Sequence, residues 1–264
     1  MIDFQYKNSY GVNDLVDIVR ILREPGGCPW DREQDHHSIR RNLLEEAYEA
    51  AEAIDEDDPE HLQEELGDVL LQVVFHAQME QEAGRSDLDA VADGICKKLI
   101  YRHPHVFGDT SVSDSSEVLQ NWEELKRKEK HQETAADSVD SVAKSLPGLW
   151  RAEKIQKKAR KAGFDWLDVS GALDKLCEEV EELKSAIAQD TNIEEELGDL
   201  LFAAVNVSRF VKVDPEGALD GACEKFARRF RQVEEMATKN GQALEHMSLT
   251  EMDKLWETVK KQET

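Results

Sequence analysis

Apolar residues along this chain recur at three- and four-residue spacing over long stretches. Leu62, Leu66, Val69, Leu70, Val73 and Val74 form one stripe. Leu197, Leu200, Leu201, Ala204, Val205 and Ser208 form a matching one. That period is the signature of a helix face turned to a core. No run alternates apolar and polar residues between hairpin turns, so strands are not expected. The pattern predicts helices over 11–23, 38–56, 60–83, 87–103, 115–133, 147–161, 171–189, 192–212, 215–239 and 248–262. Asp58-Pro59 and Asp214-Pro215 mark two helix starts, because Pro is tolerated at the first helical position where its missing N–H costs nothing. With 14 Gly and 6 Pro in 264 residues, the expected fold class is all-α.

The pattern also repeats. Leu44 to Glu49 resembles Cys177 to Glu182 at an offset of 133, and Glu64 to Leu70 resembles Glu195 to Leu201 at an offset of 131. Cys96 to Arg102 is similar to Cys223 to Arg229 at 127, and Glu117 to Glu129, with Trp122 and Lys126, aligns with Glu251 to Glu263, with Trp256 and Lys260, at 134. Acidic helices can resemble one another once by chance, but not four times in order at near-constant spacing. The chain therefore reads as a tandem repeat of one helical module. The first module covers 1–134, a linker 135–146 and the second module 147–264. The boundary region from His131 to Leu146 is polar and ends in Ser145-Leu146-Pro147-Gly148.

Charge narrows the function classes. The chain has 33 Lys+Arg against 57 Asp+Glu, a net charge of −24. General nucleic-acid binding needs a basic footprint, and anionic membranes repel such a chain. No apolar run approaches the length of a membrane span, and Met1 to Tyr10 holds no apolar core of a secretory signal. A soluble cytoplasmic protein is expected. Cys28, Cys96, Cys177 and Cys223 are scattered without a Cys-x-x-Cys pair, so neither a disulfide framework nor a cysteine zinc site is supported.

The acids are ordered. Residues 45–68 carry 12 carboxylates and no Lys or Arg, and residues 178–199 carry nine with the single Lys184. Glu46 and Glu49 lie three apart on one helix face, as do Glu65 and Asp68 on the next helix; Glu179/Glu182 and Glu196/Asp199 repeat the arrangement. Helices joined by a short connection pack antiparallel, so four carboxylates should converge in each module. Such a group repels itself unless a cation neutralises it. Oxygen ligands suit a hard divalent ion such as Mg²⁺, which keeps water and substrate phosphates as its other ligands. No His is expected beside these acids, and neither His61 nor His76 sits at i, i+3 from Glu49, which argues against zinc and against a dimetal carboxylate bundle. Gly67 and Gly198 sit inside these helices at a cost of about 1 kcal/mol each against Ala, which points to close helix approach or room for a ligand.

Cations for a polyphosphate stand nearby in sequence. Lys98/Arg102 and Lys225/Arg229 are i, i+4 pairs, Arg228 and Arg231 add charge to the second module, and Lys126 and Lys260 each follow a Trp by four residues. A metal beside Lys and Arg is the usual apparatus for holding phosphates, and no GxxxxGK[ST] loop is present. Trp122 and Trp256 suit either base stacking or a core. Trp30 and Trp166 each precede the acidic helices of their module. His103 and His105, without a third ligand, read as structural.

Glu45-Glu46-x-x-Glu49 with Glu64-Glu65-x-x-Asp68, and Glu178-Glu179-x-x-Glu182 with Glu195-Glu196-x-x-Asp199, resemble the MazG nucleotide pyrophosphohydrolases of the all-α NTP pyrophosphatase superfamily. Cys28-Pro29-Trp30-Asp31, Arg102 to Phe107, Lys154 to Lys157 and Gly163-Phe164-Asp165-Trp166 resemble the tandem form of that family, from about residue 11 to the C-terminus. The resemblance implies Mg²⁺-dependent hydrolysis of nucleoside and deoxynucleoside triphosphates to the monophosphate and pyrophosphate. It also implies a homodimer built from four-helix assemblies. It assigns the metal to Glu179, Glu182, Glu196 and Asp199, and to Glu46, Glu49, Glu65 and Asp68. Substrate contacts carry over to Lys225, Arg229 and Trp256, with Arg102 and Lys126 matching positions that reach a nucleotide across the assembly; Arg228 joins the basic set.

Both modules keep the acidic motif, and the more basic segment Lys225 to Arg231 favours the second as the working site. Glu178, or Glu45 in the first module, stands beside the ligand set and is the candidate to orient or deprotonate the attacking water. Two other readings fit the residues: a non-catalytic helical scaffold whose acidic faces bind partners, and a pyrophosphatase restricted to one pyrimidine deoxynucleotide.

Overall fold

A computed structural model describes residues 4–130 and 132–263. His131, where the sequence places the start of the boundary, lies outside the described residues, as do residues 1–3 and 264. All regular structure among the described residues is helical. The chain divides into two units, residues 1–126 and 127–264.

The first unit holds α1 (Val12–Arg23), α2 (Pro29–Glu33), α3 (Arg40–Asp55), α4 (Pro59–Glu82), α5 (Leu88–Arg102) and α6 (Pro104–Phe107); the division falls inside α7 (Ser115–Glu129). Its central pair is α3 packed on α4, with α1 laid against α4. Asp58 starts α4 by accepting hydrogen bonds from the backbone N–H groups of Glu60 and His61, with Pro59 at the first helical position, as the sequence predicts. Asp87 caps α5 in the same way through Ala90. The apolar stripe of α4 buries Val74, Phe75 and Met79 against Val19 of α1 and Ile39, with Leu15, Val16, Leu70 and Leu71 packed around them. Arg23 ties the entry loop to this core. It donates to the carbonyls of Asp31 and Gln34 and forks onto Glu82 at 2.9 Å.

The second unit holds α8 (Ala135–Asp140), α9 (Gly148–Lys161), α10 (Val169–Gln189), α11 (Ile193–Val211), α12 (Pro215–Lys239), a 3-10 turn (Leu244–His246) and α13 (Leu249–Gln262). The antiparallel pair α10/α11 is the counterpart of α3/α4; α9 packs on α11 and α12, and α13 on α12. Asp214 caps α12 ahead of Pro215, and Ser248 with Glu251 forms a reciprocal capping box at α13. Small buried residues at the contacts, Ala172, Ala186, Ala203 and Ala237, let the helices approach closely.

The ten helices expected from periodicity are all present, with ends displaced by at most a few residues. Three short helices, α2, α6 and α8, and the 3-10 turn are too brief to show a period. The stretch 135–146, read as a linker, begins with α8. A Thr134/Asp137 capping box fixes that helix, Ser138 and Val142 are buried, and α8 packs on α9.

Candidate active site

Each antiparallel pair gathers its acids. In the first unit, carboxylate oxygens of Glu46 and Glu49 on α3 and Glu65 on α4 lie within 4.8 Å of one another. In the second, Glu179 on α10 does so with Glu196 and Asp199 on α11. Spacing of three residues on one helix supplies two acids per face, and the antiparallel partner supplies the rest. Asp68 and Glu182, the remaining expected ligands, fall outside these 4.8 Å groups but stand close enough to act on them. Burial, then the charges of Asp68, Glu49 and Glu65, push the Glu46 carboxyl above its ordinary value. Desolvation, a hydrogen bond with Glu179 and the surrounding carboxylates raise Glu182. Like charges held together favour the protonated form of one member.

The donor set suits a hard divalent cation. It is all carboxylate oxygen, and Oε2 of Glu65 and Oε2 of Glu179 are buried with no hydrogen-bond partner among the described residues. A buried carboxylate oxygen without a donor is costly unless something else satisfies it.

The two clusters differ in their company. Lys175, one turn before Glu179, extends its ammonium to 2.7 Å from both Glu178 and Glu179. These hydrogen bonds raise its pKa above the ordinary lysine range. Lys175 lies ahead of the acidic run and is not among the residues expected from sequence; its i, i+4 spacing to Glu179 is the signal that marks it. At an offset of 133 the first unit has Asn42, and the nearby group there is His61, whose Nε2 lies 3.2 Å from Glu65, so an imidazole does stand beside the first cluster, where the sequence leads to none being expected, because the i, i+4 step along α4 brings it there. The proposed bases are both exposed and paired: Glu178 with Lys175, Glu45 with Arg41 at 2.6 Å.

Gly67 and Gly198 are not sites of close helix approach. A Cβ at either would meet nothing within 4 Å, so of the two expectations, room beside the acids is the one the structure leaves.

A cavity of about 520 Å³ adjoins the second cluster. Lys175, Glu179 and Asp199 line its acidic side; Gln156, Phe164, Trp166, Phe202, Asn206 and Arg209 line the rest. Its walls come from α9, α10, α11 and the Gly163 to Asp168 connection. Phe164 and Trp166 are exposed aromatic residues of the Gly-Phe-Asp-Trp segment.

The basic residues lie on α12 and α13. Lys225 is exposed, and Arg229 pairs with Glu263 at 2.7 Å while Arg228 reaches the same carboxylate at 3.4 Å. Trp256 carries Phe226 at 5.1 Å between ring centres and the Arg229 guanidinium at 6.0 Å. In the first unit, buried Arg102 and Lys126 stand 5.1 and 4.8 Å from the Trp122 ring. Trp122 is therefore a cation–π partner of its own unit's residues.

No helix among the described residues is long and apolar enough to cross a membrane. The family model of the MazG nucleotide pyrophosphohydrolase domain matches the chain twice, at residues 34–107 and 169–234. The chain is 44% identical over 257 residues to a nucleoside triphosphate pyrophosphohydrolase of Escherichia coli, covering 96% of this chain and 98% of that protein. It is 45% identical over 247 residues to the nucleoside triphosphate pyrophosphohydrolase/pyrophosphatase MazG of Thermotoga maritima, 94% of each chain. A nucleoside triphosphate pyrophosphohydrolase of Mycolicibacterium smegmatis is 36% identical over 201 residues, covering 75% of this chain and 58% of that one.

Proposed function

The chain belongs to the MazG nucleotide pyrophosphohydrolase family, and from that premise we propose that it hydrolyses nucleoside and deoxynucleoside triphosphates, with broad base tolerance, to the monophosphate and pyrophosphate with Mg²⁺ at the second acidic cluster. The observation that carries this reading is the convergence of Glu179, Glu196 and Asp199 within 4.8 Å at the edge of a cavity of nucleoside size.

Glu179, Glu182, Glu196 and Asp199 would hold the cation, which supplies neutralisation of triphosphate charge and alignment for in-line attack. Glu178, held by the Lys175 ammonium at 2.7 Å, accepts the proton of the attacking water. Lys225, Arg228 and Arg229 bind the phosphates and stabilise the charge that develops on the leaving pyrophosphate. The Glu263 carboxylate, held below its ordinary value by Arg229 and then Arg228, yields these guanidinium groups to the substrate. Trp256 contacts the nucleotide, and Arg102 and Lys126 reach it across a homodimer. Exposed apolar side chains on α5 (Val91, Ile95, Leu99) and on α11 and α12 (Leu197, Leu201, Phe226) support such an assembly. Glu46, Glu49, Glu65 and Asp68 form a second cation site.

Product analysis with each triphosphate, in Mg²⁺ and in EDTA, tests the reading. Monophosphate plus pyrophosphate is expected in Mg²⁺ alone, with Glu179→Gln losing far more turnover than Glu46→Gln. Diphosphate plus orthophosphate would mean a different bond is cut, and no turnover would restore the scaffold reading. Retained turnover in Glu178→Ala beside a dead Glu179→Ala removes Glu178 as the base.

A further inference from the structure

Acids outnumber bases in this chain, 57 against 33, so a cation without a carboxylate partner is not short of acids to choose from. Five such cations gather on one side of the second unit. Arg151, Lys154 and Lys158 stand at i, i+3 and i+7 on α9, which sets them in one row about 10 Å long. Arg127 and Lys130, at and just beyond the end of α7, act on Lys158 through their charge. None of the five forms an ion pair among the described residues, and the acids nearest in sequence are already engaged: Glu153 holds Lys157 at 2.7 Å, and Asp165 holds Arg160 at 3.5 Å as well as Arg209.

Two of these groups are held with their charge unanswered. Lys158 is half-buried, and burial, then the charges of Lys130 and Arg127, push its ammonium below the ordinary lysine range. Nε of Arg151 is buried with no hydrogen-bond acceptor. A buried donor left unsatisfied and a desolvated ammonium among like charges each cost free energy until an anion arrives. The helix dipole does not account for the row. It favours Lys158 in the last turn of α9 but disfavours Arg151 in the first, where the positive end lies. Nor does the cavity use it: Gln156 and Ala159 line that space from another face of α9, whereas Arg151, Lys154 and Lys158 do not.

We propose that this outer face of α9 binds a short oligophosphate, the chemistry shared by free pyrophosphate and by the phosphate tail of a nucleotide. The site stands apart from the hydrolysis proposed above, which uses neither Lys158 nor its neighbours. A chain of phosphates offers several charged acceptor oxygens to several ammonium and guanidinium donors at once, which suits a row of cations flanked by two more. Length favours a short anion. The row extends about 10 Å, close to the distance over which charge is screened at physiological salt. Beyond it, the acidic excess of a chain with net charge −24 repels a long nucleic acid or an acidic polypeptide.

The test is calorimetric titration of the full-length protein with tripolyphosphate in EDTA, where no divalent ion can hold phosphate at the acidic clusters. A binding step that weakens as salt rises is expected. Lys158→Gln combined with Lys130→Gln should lower its affinity roughly 10-fold or more, while Lys225→Gln combined with Arg229→Gln leaves the step in place. Lys158→Arg keeps the charge and should bind like wild type. Pyrophosphate and a nucleoside triphosphate then identify the source. A nucleotide no tighter than tripolyphosphate means that phosphate alone is read; a tighter one with the same loss in the double variant means that the tail of a nucleotide is the occupant. Both results sustain the proposal. Affinity untouched by Lys158→Gln with Lys130→Gln overturns it. So does an equal loss in Lys158→Arg, which would trace the effect to packing of a half-buried side chain. A single-stranded oligonucleotide that binds through Lys158 where tripolyphosphate does not would make this face a nucleic-acid surface and overturn it as well. The titration needs no turnover, so an inactive wild type would refute the hydrolysis and leave this result readable.

Discussion

Replacing Glu46 by Gln should stabilise the protein in EDTA and do the opposite in Mg²⁺. Carboxylate oxygens of Glu46, Glu49 and Glu65 lie within 4.8 Å of one another. One such pair costs between about 0.9 kcal/mol at the dielectric of water and about 3.5 kcal/mol at an effective dielectric of 20. Glu46 faces two of these neighbours, which sets a floor of about 1.7 kcal/mol in the fully screened limit. Protonation sets the ceiling, since an acid of ordinary pKa 4.5 can be neutralised at pH 7 for about 3.4 kcal/mol. Glu46→Gln therefore relieves between about 1.7 and 3.4 kcal/mol, or an increase in Tm of at least about 6 °C for a unit of this size. The sign with pH follows from the raised carboxyl. Its penalty is absent below the unfolded value and grows as pH rises, so the gap between variant and wild type should close as pH falls toward 4.5. Millimolar Mg²⁺ should raise the wild-type Tm well above that of the variant, because only the complete cluster gains the linkage term of a bound ion. Calorimetry of both proteins in EDTA and in Mg²⁺ is the assay. A variant less stable in EDTA would show the acids to be satisfied by one another. Equal Mg²⁺ stabilisation of both would place the ion elsewhere.

Two further outcomes follow from local geometry. In Gly171→Ala the new Cβ would lie 2.2 Å from Trp166 Cδ1 and 2.7 Å from Cγ. Trp166 must then swing out of the cavity wall, so KM for triphosphates should rise and tryptophan emission should shift to the red; unchanged KM and emission would show that the ring does not shape the pocket. Glu80 accepts from Arg85 at 2.8 and 2.6 Å and from His36 Nε2 at 2.8 Å, and chiefly the Arg85 bonds hold its carboxyl down to about 2. Its contribution is complete above the unfolded value of 4.5 and lost as pH falls toward 2. The urea midpoint of Glu80→Gln should therefore lie below wild type at neutral pH and converge with it across that acid window. A gap that widens in acid would contradict the assignment.

The acids were legible in sequence because helix geometry translates spacing directly into position. Glu46 and Glu49, or Glu196 and Asp199, share a face whatever surrounds them, and the short Asp55 to Asp58 connection fixes the antiparallel partner. The internal repeat then supplied a second reading of the same pattern. What sequence did not disclose depends on differences between the copies. Asn206 and Phe75 occupy equivalent places at the repeat offset, yet one lines a polar cavity and the other fills a core. Nothing in the period of either stripe separates them, because both positions are interior. Only the distant Asp165 makes an interior Arg209 affordable, and that pairing spans 44 residues. Lys175 is the intermediate case: its spacing to Glu179 is legible in sequence, but its simultaneous pairing with Glu178 depends on where the ammonium settles between the two carboxylates. The duplicated part of the chain thus specifies where the carboxylates converge, whereas the differences that break the duplication, Asn42 against Lys175 and Phe75 against Asn206, set a polar cavity beside the acids of the second copy and a packed core in the first.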